Sequence, residues 1–413
     1  MVTRHERPDD ILRLSFMGLV AGRGQPRARQ TRSHLSPPAS GIAPYSGRPA
    51  ARLMKQIVML VGIGNNDRGS ARLASEFGRT ILVQDGPVTH EEIWEHGTRV
   101  FNGPENRGKH WGWLSMLPFD LPGILRNLKW YRRLMKGEKC DLIIASAYMQ
   151  SMAALWLRAT GKTNKVVCIV SDYLPPHGSL AVRVHRRITG LWTRLSARYA
   201  DEAWAVSPRI PTVKVNPRNF VLPLLIDDNQ TPPTGRDEIG YIGFATPDHA
   251  IDILFDVCRK HGFKLNVFGD SAYLQSIKHL APANTVFHGI TNDNVKIGQV
   301  LARCFCGYAV YRNTSPQSYS YFGVPSKCLQ LFANNVPVVT TNTAHFVQTI
   351  GASGAGRVVE PVPEQIEAAI LDIRARFPVY YDAINRLRDT WNAGVRQFHS
   401  ERIGSLLGEK RVL

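Results

Sequence analysis

The chain has 413 residues, 44 % hydrophobic and 20 % charged, which excludes a disordered or fibrous protein and is enough chain for two domains with cores of their own. Lys and Arg number 51 against 33 Asp and Glu, a formal charge of +18. An acidic partner is therefore expected: nucleic acid, anionic lipid or a phosphorylated small molecule.

Residues 1–53 carry nine Arg against three acids and are rich in Pro, Ser and Gly from residue 22 onward, so they read as a disordered basic leader. Residues 11–21 resemble a signal-peptide core, but Asp9 and Asp10 precede them and Arg13 interrupts them, which argues against secretion. The folded part is expected to begin at Met54, itself a candidate start. Strands are predicted at 56–61, 80–83, 141–145, 165–170 and 203–206, with helices over 70–78, 148–160 and 180–200. In the last helix Val184, Ile188, Leu191 and Leu195 share one face. This βαβ alternation predicts a parallel sheet with helices on both faces. Residues 226–237 read as a polar linker. Alternation then resumes with strands at 238–242, 264–268, 285–287, 307–310 and 336–340 and helices over 248–260, 271–280, 292–302 and 326–334. A closing helix over 379–407 places Tyr380, Ile384, Leu387, Trp391 and Val395 near one face and is expected to pack back on the first domain. The predicted fold class is α/β: two Rossmann-like domains, 54–225 and 238–378, facing each other across a cleft, with the tail 379–413 closing on the first. Ligands in such folds bind beyond the C-terminal strand ends.

No apolar run reaches the roughly 18–20 residues that span a bilayer; the nearest, Leu142 to Leu157, is broken by Ser146, Gln150 and Ser151. The six Cys lie mostly in apolar stretches, with no CxxC pair. They read as buried thiols in a reducing compartment.

The stretch Phe322 to Thr341 is the most informative chemically. Ser326 stands ahead of a predicted helix and is read as its N-cap. Lys327 falls in the first turn, and a helix N-terminus with a Lys is a ready diphosphate site; a merely solvated Lys is the plainer reading. Gln330, three residues on, is placed for a ribose or sugar hydroxyl. In the first domain, Asp172 follows the apolar strand 165–170 and opens a Pro- and Gly-containing loop. A carboxylate there can take a proton from an acceptor hydroxyl, or simply bond the amides of its own turn. His177 is a second candidate base. Gly62-Ile-Gly64 follows the first strand, but Asp67 stands where a dinucleotide fingerprint needs Gly. The segments 124–136 and 183–198 combine helical apolar spacing with Arg and Lys, a pattern suited to an anionic membrane surface or to an ordinary solvated face.

The run Pro325-Ser-Lys-x-x-Gln-x-x-Ala-x-x-x-Pro-Val-Val339 resembles the nucleotide-sugar motif of GT-B glycosyltransferases. Asp201–Pro208 resembles the strand-and-Ser segment late in their acceptor domain. Ile239–Phe244, with Gly243 and Phe244, resembles the glycine turn that opens their donor domain. Leu265–Asp270 and Val286–Gly289, with His288 and Gly289, resemble the next two strand ends. The resemblance runs from about residue 54 to 407. Many retaining members carry a Glu-x7-Glu pair where this chain has Phe322 and Gln330. The sequence is more similar to the inverting xanthan-type β-glucuronosyltransferases: their donor Lys and Gln match Lys327 and Gln330, their strand Tyr matches Tyr311, and their Ala-Ser-Asp base turn matches Val170-Ser171-Asp172.

The resemblance implies a GT-B fold and a hexosyltransferase, a glucuronosyltransferase among the options. It implies a nucleotide-sugar donor, a UDP-sugar favoured, and a lipid-linked saccharide acceptor in bacterial exopolysaccharide assembly. The setting implied is cytoplasmic and peripheral at the inner face of the plasma membrane, on anionic lipid. Asp172 would be the base of an inverting transfer, with Lys327 and the helix dipole stabilising the leaving diphosphate. No cofactor and no metal are expected, and the chain shows no paired-Asp metal signature. Two other readings stand beside this one: a sugar-nucleotide epimerase of the same fold, and a basic nucleic-acid-binding protein. The second rests on charge alone; no nucleic-acid module is recognisable, and no nucleic-acid partner is expected.

Overall fold

The computed structural model describes residues 55–61, 67–84, 90–102, 139–146, 148–171, 173, 175–176, 180–227, 236–291, 293–316, 318–342 and 345–408. The leader, the loop 62–66, the segment 124–136, Asp172, His177 and most of the linker lie outside the described residues.

The first sheet contains β1 (Gln56–Val61), β2 (Arg79–Gln84), β3 (His90–Glu95), β4 (Thr98–Asn102), β5 (Cys140–Ser146), β6 (Thr163–Val170), β7 (Glu202–Ala205) and β8 (Asn219–Val221), in the order β4-β3-β2-β1-β5-β6-β7-β8. It is parallel from β2 to β8. Both faces are covered, so β1 is apolar at every turn of the pleat: Val58 and Leu60 join one core, Ile57 and Met59 the other. Helices α1 (Asp67–Ala74), α2 (Tyr148–Ala159) and α3 (Leu180–Tyr199) connect the strands.

Two departures from the predicted elements stand out here. β3 and β4 form an antiparallel hairpin on the edge of the sheet. Its strands read His-Glu-Glu-Ile-Trp-Glu and Thr-Arg-Val-Phe-Asn, and β4 is exposed throughout, so no apolar run announces them. α3 buries only part of the apolar stripe that its spacing marks: Ile188 and Leu195 are half-buried, but Val184 is 45 % and Leu191 56 % exposed. Only its last turn reaches the core, through Ser196, Ala197 and the following Ala200.

The second sheet is parallel throughout: β9 (Glu238–Ile242), β10 (Lys264–Phe268), β11 (Thr285–Gly289), β12 (Cys304–Ala309), β13 (Val338–Thr340) and β14 (Gly356–Val358), in the order β11-β10-β9-β12-β13-β14. Counted within the sheet this is 3-2-1-4-5-6, the doubly wound dinucleotide-fold order, with its topological switch between β9 and β12. Its connections carry α4 (Ile251–His261), α5 (Ala272–Ile277), α6 (Asn294–Leu301), α7 (Tyr319–Phe322), α8 (Ser326–Ala333), α9 (His345–Ser353) and α10 (Pro363–Ala375). Two cores flank the sheet, one around Tyr241, Phe255 and Tyr308, the other around Cys304, Leu331 and Phe332.

α11 (Phe377–Leu407) has 31 residues and spans about 46 Å. Its start buries Tyr380, Ile384 and Leu387 in the second unit's cores, and its end buries Ile403 and Leu406 beside Met59 and Trp204 of the first. Midway, Trp391 Nε1 donates to the Leu224 carbonyl at 2.7 Å. Asn392 accepts from Ile226 N–H at 3.0 Å and donates to Ile226 C=O at 2.8 Å. The helix thus holds the strand-to-strand junction by its backbone. No helix among the described residues is long and apolar enough to cross a membrane.

Candidate functional site

The switch point of the second sheet gathers most of the residues singled out from the sequence. β9 is followed by Gly243, whose φ of +110° lies in a region that L side chains rarely adopt, and a Cβ there would stand 3.1 Å from Lys327 Cε. Gly243 N–H donates to the Phe268 carbonyl and Gly269 N–H to the Gly289 carbonyl, each at 2.8 Å. A Cβ on Gly269 would stand 2.2 Å from the Gly243 oxygen, so the ends of β9, β10 and β11 are packed backbone to backbone. Phe244, next along, is 43 % exposed.

α8 begins beside this platform. Ser326 is its first residue and Pro325 its N-cap, with no side-chain capping bond. This corrects the reading of Ser326 as the cap: Pro325 already has the extended backbone of a cap position, φ −69° and ψ 91°. Ser326 is exposed, and the leading amides of α8 face the end of the helix where a negative charge is stabilised. Lys327 is half-buried, and its Nζ donates to Tyr241 Oη at 3.0 Å. Nζ also lies 4.6 Å from the centre of the Tyr241 ring and 5.4 Å from that of Tyr311. Tyr241 Oη in turn donates to the Phe244 carbonyl at 3.2 Å. Burial pushes the Lys327 ammonium down to about 7.

Tyr311, two residues past β12, is buried with its N–H on Thr341 Oγ1 at 3.0 Å. Its ring meets His249 edge-on at 5.0 Å. His249 Nδ1 accepts from Thr246 N–H at 2.9 Å; burial first, and then the Lys327 charge, push this His down to about 3. It is therefore a neutral ring beside the Lys327 ammonium.

His288 is the penultimate residue of β11, and its ring is engaged by side chains of β10. Nε2 lies 3.0 Å from Asn266 Oδ1, and the ring stacks on Phe268 at 4.3 Å and 14°. Asn266 Nδ2 donates to Glu238 at 2.6 Å, which leaves Asn266 Oδ1 to accept from His288. Gln330 stands half-buried one turn into α8, its carbonyl accepting from Asn334 Nδ2 at 2.8 Å. Gly243 and Tyr311 thus each stand against Lys327, Phe244, Ser326 and Gly289 lie next to them or to their strand ends, and His288 is held by Asn266 and Phe268. Tyr241 and His249 complete the cluster and were not singled out from the sequence: Tyr241 is one apolar-run residue among many, and His249 lies in a turn with no motif. Asp172 lies outside the described residues; its neighbours Ser171 and Tyr173 follow the C-terminal end of β6. Among the described residues no group of three His, Cys, Asp or Glu is placed to hold a metal ion.

No protein-family model matches the chain, and no curated protein matches it by sequence. Solved structures do. Sucrose-phosphate synthase from Thermosynechococcus elongatus matches with a TM-score of 0.64 at 14 % identity, over 86 % of this chain and 100 % of that one. Anabaena HepE, solved in complex with UDP, matches with a TM-score of 0.56 at 14 % identity, over 85 % and 100 %. OtsA matches with a TM-score of 0.56 at 11 % identity, over 87 % and 100 %. The fold is GT-B.

In a GT-B protein the two sheets present their C-terminal strand ends to one another. Here the segment ahead of α8 crosses between them: Tyr321, Phe322 and Val324 pack into the first unit's core. Arg209 of the first unit donates to the Tyr321 carbonyl at 3.3 Å and lies over its ring at 4.3 Å.

Proposed function

We propose that this GT-B chain is a glycosyltransferase that moves a sugar from a nucleotide-sugar, a UDP-sugar favoured, to a lipid-linked saccharide acceptor. The single observation that carries the reading is the convergence of Lys327, Gly243 and the α8 N-terminus at the switch point of the second sheet. An ammonium and free amides there suit a diphosphate, and the glycine lets backbone and ligand approach closely.

In this reading the diphosphate lies over Gly243 and the start of α8, and Gln330 takes a hydroxyl of the ribose or sugar. Asp172 accepts the proton of the acceptor hydroxyl as its oxygen bonds the anomeric carbon. The bond from that carbon to the diphosphate oxygen breaks, the configuration inverts, and the nucleoside diphosphate leaves with the electron pair. Lys327 and the helix amides stabilise the charge that develops on the leaving group. We further propose the exopolysaccharide setting, a glucuronic acid donor among the candidates, and action at the inner face of an anionic membrane. Stabilisation of the full chain by a panel of UDP- and GDP-sugars tests the donor half; no stabilisation by any of them overturns it. NMR of donor incubated alone and with acceptor tests the transfer, and conversion of the donor sugar without acceptor would mark an epimerase instead.

A further inference from the structure

A concave site lies in the first unit, beside the segment that follows β6. It is a cavity of about 420 Å³ between α3 and the turn Pro211–Val215, lined by Tyr173, Pro176, Arg186, Arg187, Gly190, Leu191, Arg194, Pro211 and Thr212. Among the described residues its lining has three Arg and no carboxylate. α3 as a whole carries five Arg and no acid. Neither Arg187 nor Arg194 has a carboxylate partner among the described residues, and both are exposed. Arg186 Nη1 donates to the Pro175 carbonyl at 2.8 Å, tying the helix to the segment after β6. Like charges one turn apart destabilise a helix, and an anion bound among them reverses that sign.

Two further features define the ligand. Gly190 sits inside a 20-residue helix, where glycine is destabilising relative to alanine. No atom lies within 4 Å of the Cβ it lacks, so protein packing does not require it; it keeps the floor of the cavity open. Along the same stripe of α3, Leu180, Val184 and Leu191 are 69 %, 45 % and 56 % exposed. They interleave with Arg187 and Arg194 at helical spacing. A cationic pocket that opens onto an apolar ridge fits an amphiphile with a negative charge at one end.

We infer that this cavity binds the phosphate or diphosphate end of an amphiphilic acceptor, with Arg186, Arg187 and Arg194 on the anion and the apolar tail along Leu191, Val184 and Leu180. This rests on the transferase reading for the word acceptor; the site itself rests on its own lining. Tyr173 joins the two, since it borders the cavity and directly follows Asp172 in the chain.

The test uses the full chain with its donor site saturated by UDP, and three probes: inorganic pyrophosphate, farnesyl diphosphate and phosphatidylglycerol vesicles. Farnesyl diphosphate is expected to bind about tenfold or more tighter than pyrophosphate. The double variant Arg187→Gln/Arg194→Gln, and separately Gly190→Leu, should each weaken farnesyl diphosphate about tenfold or more while the affinity for UDP stays unchanged. Equal binding of farnesyl diphosphate by wild type and both variants overturns the site. Equal affinity for pyrophosphate and farnesyl diphosphate marks a free-phosphate site and overturns the amphiphile. Arginine-dependent binding to the vesicles without binding of farnesyl diphosphate marks a headgroup surface and overturns it as well. Failure of UDP to bind at all would instead sink the donor reading, and the probe comparison would still decide this one.

Discussion

The ring of Tyr173 meets the ring of Phe322 edge-on, 4.6 Å between centroids and 65° between planes. Tyr173 belongs to the segment after β6 of the first unit, and Phe322 lies five residues before Lys327 on the second. The segment after β6 and the segment ahead of α8 therefore touch directly, and Phe322 is 9 % exposed within a core whose other buried members are first-unit residues.

Truncating Phe322 should be felt in both units. Phe322→Ala is expected to cost about 3 kcal/mol of stability, the usual loss for a buried Phe. A double-mutant cycle with Tyr173→Ala should return a coupling of about 1 kcal/mol. Urea unfolding of the four proteins measures both, and strict additivity would show that the ring contact carries no energy of its own.

Lys327→Ala should abolish UDP binding, because it removes the ammonium beside the α8 amides. The wild-type affinity should also depend on pH with a definite sign. Burial has brought Lys327 down to about 7, a diphosphate binds the charged form, and the charged form is lost as pH rises. UDP affinity is expected to fall by up to roughly tenfold per pH unit above 7. Lys327→Arg, which stays charged, should flatten that slope; the same slope in this variant would assign the titration to another group. Calorimetry from pH 6 to 9 reads it.

Gly243→Ala should weaken UDP binding and lower stability by more than about 1 kcal/mol, since φ there is +110° and the new methyl meets Lys327 at 3.1 Å. Thermal melts with and without UDP separate the two effects.

Asn392→Ala leaves the Ile226 N–H and C=O without their buried partner. A loss of about 1–3 kcal/mol is expected, read by chemical denaturation. A smaller loss would mean that the Trp391 bond to Leu224 suffices to hold the junction.

Asp172→Asn should keep UDP-sugar binding and lose transfer by about 100-fold or more, the range expected for removal of a general base. Transfer at the wild-type rate would remove Asp172 from the reaction and bring His177 forward, with His177→Gln as the next variant.

Much of the architecture was legible in the residues because parallel strands buried on both faces leave uninterrupted apolar runs. Gln56–Val61, Glu238–Ile242 and Lys264–Phe268 were read with the bounds they have. The charged hairpin of β3 and β4, and the three-residue strands β8 and β14, have no such run and appear only through their hydrogen bonds to a neighbour. Lys327 and Gly243 were legible as residue types in a motif. The helix cap lies one position earlier than Ser326 because Pro325 takes it, and the engagement of the His288 ring with Asn266 and Phe268 comes from strands that only the sheet makes neighbours.

By itself the sequence determined the βαβ alternation, the polar break between two α/β halves and the presence of a lysine at a helix start, all properties of neighbours along the chain. Only the tertiary structure decided what lies around that lysine: Tyr241 and Gly243 are 86 and 84 positions away, and they reach it because β9 and α8 meet at a switch in strand order. It also decided the fate of the apolar stripe on α3, which helical spacing marks for burial. Burial depends on what stands opposite, and among the described residues Leu180, Val184 and Leu191 stay exposed while Ile188 and Leu195 are half-buried. The net charge of +18 acquires places in the same way: three Arg converge on one cavity, and Lys327 stands against Tyr241 and Gly243, because the fold brings them there.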